Sequence, residues 1–147
     1  MDVTKDTCIQ KCVNFTSIDK KSFQKIINLR EKSKGDKVYD DAEIDKESNH
    51  LLIFIKENLI AYSRLWPGPE KDVSVQRFSV SKDYRNKGVA KILMEFIFQI
   101  QKKQFNNNCL ILTSREDTKD FYEKFGFVVY KKKIEQNKFR FYMKKIK

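Results

Sequence analysis

The sequence predicts an α/β domain of the α+β kind, a mixed central sheet of about six to seven strands flanked by about four helices. Three observations carry that expectation. Asp72–Lys103 reads as a strand, a polar loop and a long amphipathic helix, and Cys109–Leu112 follows as a short buried strand. Strand, helix and strand in that order make a parallel pair with a right-handed crossover. His50–Lys56 and Leu59–Trp66, joined at Glu57-Asn58, form one hairpin, and Phe127–Glu135 and Phe139–Lys145, turning at Gln136-Asn137, form another. A parallel pair beside antiparallel hairpins makes the sheet mixed.

Size and composition fit one domain over residues 1–147. A chain of 147 residues buries roughly 70% of its unfolded surface. With 40% hydrophobic and 13% aromatic residues, 12 of them Phe, it has the material for a core. Its longest apolar run, Leu51–Ile55, is too short to span a bilayer, and Met1–Lys11 is too polar for a secretory leader. Cys8, Cys12, Cys109 and the lone His50 have no metal-ligand spacing, so a reduced, cytoplasmic protein is expected. The formal charge of +11 is spread along the chain, with dense runs only at Lys131–Lys133 and Lys144–Lys147. That distribution reads as a solvated surface, so neither a nucleic-acid nor a membrane partner is expected.

In chain order, Cys8–Phe15 is the first strand. Thr16 or Ser17 then caps a helix to Lys32, with Phe23, Ile26 and Ile27 at helical spacing. Polar Ser33–Asn49 carries Gly35 and the acids Asp40, Asp41, Glu43, Asp45 and Glu47, and is expected to be a loop with a short helix. Pro67-Gly68-Pro69 turns the chain into the central strand. There Val73 and Val75 share one face while Phe78 and Val80 have the opposite parity, so the phase switches near Gln76-Arg77. A β-bulge gives such a switch, and so does a strand buried on both faces; both readings stay open. In the next helix Val89, Leu93, Phe96, Ile97 and Ile100 form the apolar face, and Lys91, Glu95, Gln99 and Lys103 the wet one. A helix is expected over Thr113–Gly126, closed by the glycine. In the last strand Phe139, Phe141 and Met143 alternate with Arg140, Tyr142 and Lys144.

The chemistry gathers at Arg85-Asn86-Lys87-Gly88-Val89-Ala90. A helix start offers unpaired N–H groups and partial positive charge, glycine allows close approach, and Arg85 and Lys87 add full charges, so the junction suits a phosphate. Gly-x-Gly-x-x-Gly and the P-loop pattern are both absent. What is present resembles the Gln/Arg-x-x-Gly-x-Gly/Ala signature of the GNAT family of N-acetyltransferases. Phe121-Tyr122-Glu123-Lys124-Phe125-Gly126-Phe127 is similar to a second family motif, Phe-Tyr-x-Lys-x-Gly-Phe. The resemblance covers most of the chain, most strongly from His50 onward. It implies the GNAT fold, with a bulged central strand that parts from its parallel neighbour. It also implies acetyl-CoA as cosubstrate, contacted by Phe78, Ser79, Val80, Arg85, Asn86, Lys87, Gly88, Val89, Ala90 and Tyr122. Tyr122 is implied to protonate the departing thiolate. A thiol pKa of ~8.5 against a phenol at ~10 lets it do so late in transfer. Its alternative is a core tyrosine packed with Phe121, Phe125 and Phe127.

Several positions depart from the family pattern. Gln76 stands where members often place a Glu or Asp base, and an amide cannot take a proton at neutral pH. A water held by Gln76 and backbone carbonyls, or Asp72, Glu70 or His50, are the substitutes; an amine that enters already neutral, leaving its proton to solvent, is the other alternative. Arg115 and Thr118 stand where Asn and Ala are frequent. Asp40–Asp45 leading to His50, with Leu59–Trp66 and Phe121–Phe127, resembles the ElaA/YjcF group, although that group's Val-Phe-x-x-Glu-Gln is missing. Glucosamine-6-phosphate N-acetyltransferases share the length and the Phe-Tyr-x-Lys-Phe-Gly segment. Gln76, Arg77 and Arg140 are the acceptor-site candidates, two guanidiniums suiting a phosphate or carboxylate. The plainer reading pairs Arg77 with Asp72 and leaves Arg140 solvated. The expected function is acetyl transfer to a primary amine of a small molecule, glucosamine 6-phosphate for instance, by a monomer or homodimer. A protein or polyamine acetyltransferase and an inactive acyl-CoA-binding domain are the alternatives.

Overall fold

The computed structural model describes residues 2–32 and 41–145. Seven strands form one sheet: β1 (Ile9–Asn14), β2 (Asn49–Ile55), β3 (Asn58–Trp66), β4 (Val73–Val80), β5 (Leu110–Arg115), β6 (Val128–Glu135) and β7 (Lys138–Lys145). Their order is β1-β2-β3-β4-β5-β7-β6. Four helices accompany them: α1 (Lys20–Lys32), α2 (Asp41–Glu47), α3 (Val89–Gln104) and α4 (Lys119–Lys124). The pair β4–β5 is parallel and every other neighbour pair antiparallel, so the mixed sheet expected from the sequence is present. Gly35, Asp40 and the rest of residues 33–40 lie outside the described residues.

Local chemistry corrects three boundaries. The first helix is capped by Asp19, whose carboxylate accepts the Ser22 N–H at 2.7 Å, and not by Thr16 or Ser17. Those two sit in a 3-10 turn held by Asn14, whose side chain accepts from the Ser17 N–H. The β2–β3 turn falls on Lys56-Glu57, one residue earlier than expected, with Lys56 at φ 53°. Thr113–Gly126 is not one helix: β5 continues to Arg115 and α4 has only six residues. Thr113, Ser114 and Arg115 pair with Tyr142, Phe141 and Arg140 of β7, and that ladder outweighs the helical propensity of the segment.

Two apolar layers sandwich the sheet. On one side α3 buries Ile92, Met94 and Gln101 in addition to its expected face. Leu51 and Ile53 of β2 point to that layer, whereas Leu52 and Phe54 pack with Ile26 and Leu29 of α1 on the other. The unbroken run Leu51–Ile55 is therefore a strand buried on both faces. Cys8, Cys12 and Cys109 are free thiols.

The α1 side also holds charge, which the sequence did not reveal. Asp45 of α2 receives Arg30 from α1 at 3.0 and 2.6 Å and Arg64 from β3 at 2.9 Å, all three residues being buried. Burial alone would raise the Asp45 pKa; the Arg30 hydrogen bonds and charge, followed by those of Arg64, outweigh it and hold the carboxyl below its ordinary 3.8. Arg30 also donates to the Tyr62 hydroxyl at 2.8 Å, and that hydroxyl lies 2.6 Å from His50 Nδ1. His50 Nε2 faces the Asp45 carbonyl at 2.9 Å. A carbonyl only accepts, so Nε2 carries the proton and Nδ1 accepts from Tyr62. Burial lowers the His50 pKa, in keeping with a neutral ring.

Breaking this cluster at its centre should be costly. Asp45→Ala leaves two buried guanidiniums without their shared carboxylate, and urea unfolding is expected to show a loss of about 3–5 kcal/mol. Because the folded Asp45 pKa is depressed, its contribution is complete above 3.8 and disappears as pH falls through the lowered value.

Candidate active site

The site begins with one extra residue. Tyr62 pairs with Ser79 and Arg64 with Gln76, so β3 has only Ser63 where β4 has both Arg77 and Phe78. Arg77 accordingly takes a left-handed φ of 56°. Of the two readings of the phase switch, the β-bulge is the one found. Pairing between β4 and β5 is confined to Val73 with Leu110 and Ser74 with Ile111; beyond these the strands part. A cleft of about 690 Å³ opens there. Residues 75–80 of β4 form one wall, and the end of β5 with Phe121 and Tyr122 of α4 forms the other.

Most of the predicted residues meet in this cleft. Gln76, Arg77, Phe78, Ser79, Val80, Arg85, Ala90, Tyr122 and Arg140 all line it. The rest of the loop lies at or beyond its edge. Asn86 at φ 60° and Gly88 at φ 84° are exposed in the turn that starts α3, while Val89 is buried beneath it. Gly88 is the N-cap, and its positive φ is the conformation that glycine takes without a Cβ penalty. Lys87 turns to a second hollow with its ammonium 5.6 Å from the Tyr84 ring centre, and its carbonyl accepts the Val3 N–H at 2.8 Å.

Tyr122 combines both of its expected surroundings. Its half-buried ring packs edge-on against Phe78 at 5.9 Å, Phe121 at 5.2 Å and Phe127 at 5.9 Å, and it borders the cleft. The aromatic contacts restrict the ring; the open edge leaves it within reach of a ligand.

Gln76 is a connector. Its side-chain oxygen accepts from Arg64 Nε at 2.9 Å and its NH₂ donates to Ser74 Oγ at 3.1 Å. Its backbone carbonyl accepts the Ser63 hydroxyl at 2.9 Å, across the bulge. Arg77 does pair with a carboxylate, but it is Asp41 at the start of α2 rather than Asp72: Nε donates to one oxygen at 3.3 Å and a terminal nitrogen to the other. Arg140 is not solvated. It is only 7% exposed, because β7 lies between β5 and β6, and it donates to the Phe139 carbonyl at 3.1 Å.

Of the side chains named as substitutes for a base, Asp72, Glu70 and His50, none borders the cleft. His50 is fully buried with both ring nitrogens engaged, and Asp72 and Glu70 lie elsewhere. Two carboxylates that do border it, Asp117 and Glu135, went unrecognised in the sequence. Asp117 faces Arg115 Nε at 3.4 Å, and Glu135 ends β6. Neither sits in a periodic pattern; only the pairing of β5, β6 and β7 brings them to the cleft. Among the described residues no three His, Cys, Asp or Glu side chains are grouped to hold a metal, and no helix is long and apolar enough to cross a membrane.

With this geometry established, a family model for the acetyltransferase (GNAT) domain matches residues 46–129. The chain belongs to the GNAT acetyltransferase family. It is similar to a UPF0039 protein of Schizosaccharomyces pombe, 31% identical over 87 residues, a match that spans 58% of each chain. Two solved structures share the fold. Escherichia coli ElaA is 18% identical with a TM-score of 0.81, over 94% of this chain and 99% of its own. An acyl-CoA N-acyltransferase from Pseudomonas aeruginosa is 21% identical with the same TM-score of 0.81, over 94% and 99%. The GNAT motifs thus lie on the elements where the sequence resemblance put them, α3 after the bulged β4 and α4 after β5.

The tethered Gln76 gives a test of its part in the site. In Gln76→Leu the buried Arg64 Nε loses its acceptor, and unfolding in urea is expected to show a loss of about 1–3 kcal/mol. A side chain that only touched an acceptor molecule would leave stability unchanged.

Proposed function

We propose that this GNAT domain transfers acetyl from acetyl-CoA to a primary amine. The observation that carries the proposal is the opening between β4 and β5, with Tyr122 on one wall and the glycine turn of α3 at its edge. A slot between two strands suits a thin, extended pantetheine arm. The N–H groups at the start of α3, with Arg85 beside them, suit a pyrophosphate. That the Pseudomonas structure is an acyl-CoA N-acyltransferase supports the same assignment.

In this mechanism the amine nitrogen attacks the thioester carbonyl. Backbone N–H groups of β4 near Phe78–Val80 stabilise the charge that builds on the oxygen; past Ser74 that edge of β4 has no strand partner among the described residues. The carbon–sulfur bond then breaks, Tyr122 gives its proton to the thiolate, and the amine's proton leaves to solvent at the open side. Gln76 takes no proton, which fits its role as a link to Arg64.

For the acceptor we propose a small amine that carries a phosphate, with glucosamine 6-phosphate as the concrete candidate. Arg140 supports it, a buried guanidinium beside the cleft. Arg77 adds less, because Asp41 already offsets its charge. A protein or polyamine acceptor is the second reading, favoured by the carboxylates Asp117 and Glu135 at the same cleft.

Free-thiol release with acetyl-CoA and a panel of amines tests the reaction. Brisk turnover of glucosamine 6-phosphate beside slow turnover of glucosamine is the expected result. Turnover of a peptide or polyamine amine instead moves the acceptor to the second reading. Acetyl-CoA that binds but releases no thiol with any amine makes this an inactive acyl-CoA-binding domain. Tyr122→Phe is expected to lower kcat by about a hundredfold to ten-thousandfold at an unchanged thermal midpoint. A tyrosine that only packs would reverse that pattern. Gly88→Glu is expected to weaken acetyl-CoA binding at least about tenfold by calorimetry, through added charge and loss of the left-handed turn.

A further inference from the structure

We propose that the free edge of β6 is a docking site for an acidic, extended polypeptide segment. Residues 134–143 separate the two dense lysine runs, and pairing of β6 with β7 folds them into one hairpin. Val128 stands opposite Lys144, Lys132 opposite Phe141, and Lys133 opposite Arg140. Lys131, Lys132, Lys133, Lys138, Lys144 and Lys145 thus share one hairpin, in which Glu135 is the only carboxylate. β6 is the last strand of the sheet, so one side of its backbone has no strand partner among the described residues.

Lysines on an edge strand also guard against uncontrolled pairing between sheets. Protection alone does not account for what flanks them. Val128 is 64% exposed, Tyr130 49% and Ile134 68%, so large apolar groups bracket the lysine run on the same strand. An edge with open backbone groups, apolar side chains and a dense positive field matches strand addition by an acidic partner: the backbone supplies the hydrogen bonds, the lysines the selectivity.

The same observations weigh against two other occupants. A second copy of this chain would set one lysine run against another. A single-stranded nucleic acid needs open aromatic faces for stacking. Here a lysine ammonium already stands over each exposed ring: Lys132 lies 4.1 Å from the Phe139 ring centre and Lys144 4.7 Å from that of Tyr130. The site lies outside the cleft apart from Glu135 at its end, and does not depend on which amine the cleft accepts.

Fluorescence polarisation with a labelled peptide of alternating Glu and Val tests the proposal. The measurements compare it with the same peptide N-methylated at alternate amides, and with an oligonucleotide of equal charge. Binding of the unmodified peptide is expected, about tenfold weaker or worse after N-methylation, because methylation removes strand hydrogen bonds and keeps the charge. The triple variant Lys131→Glu/Lys132→Glu/Lys133→Glu should abolish binding, while Lys102→Glu/Lys103→Glu, exposed on α3, should retain it. Circular dichroism melting confirms that both variants fold. Equal binding of the methylated peptide, tighter binding of the oligonucleotide, or equal loss in the two variants would overturn the proposal. So would light scattering that shows a dimer of the chain whose β6 amides are protected from exchange.

Discussion

One inserted residue governs the site. At the bulge β4 contains Arg77 and Phe78 where β3 contains only Ser63, just past Ser74, the last residue of β4 that pairs with β5. A left-handed backbone at a residue with a Cβ costs about 1–2 kcal/mol, so it persists only where its surroundings enforce it. Asp41 supplies that enforcement by gripping the Arg77 guanidinium from α2. Ser63 reaches across to the Gln76 carbonyl from the other side. The bulge, the cleft and the position of α2 are therefore one arrangement.

Behind it stands the buried charge. Asp41 and Asp45 share α2, Arg64 contacts both, and Arg64 in turn holds the Gln76 side chain. A buried ion cluster of this kind adds little net stability over apolar packing, but it tolerates only one geometry. It ties α1, α2, β3 and the cleft wall to one another, which apolar side chains that slide on their neighbours would do less specifically. Tyr62 and His50 extend its hydrogen-bond network, which is why the one histidine of the chain is unavailable to the cleft.

Much of this was legible in the sequence. The strand–loop–helix around Gly88, the parallel crossover and both hairpins followed from periodicity and turn chemistry, and the family from two motifs. The phase switch at Gln76-Arg77 announced the bulge without separating it from a doubly buried strand; the register with β3 separates them. Charged pairs were harder. Asp41 meets Arg77 36 residues away and Asp45 meets Arg64 19 residues away, contacts that only the tertiary fold creates. The seam between Thr113 and Gly126 was misread for a related reason. Polar residues at a strand end carry no signal of their partner, and the ladder to β7 that claims them is set elsewhere in the chain. For Arg140 the sequence left two readings, an acceptor-site residue or a solvated one; neighbours on both sides of β7 bury it, which only the strand order shows.

The two residue pairs that join β4 to β5 divide the sheet into a four-strand half and a three-strand half, β1 to β4 and β5, β7 and β6. The α3 crossover and its apolar layer are the main remaining connection between them. A ligand seated in the opening would touch both halves and work as a bolt through a two-leaved plate. Its binding free energy then adds to the cohesion of the halves, since whatever binds only the closed arrangement stabilises it by mass action. If the proposed cosubstrate seats there, its concentration would act as a mechanical variable, setting how firmly the two halves are held along that seam.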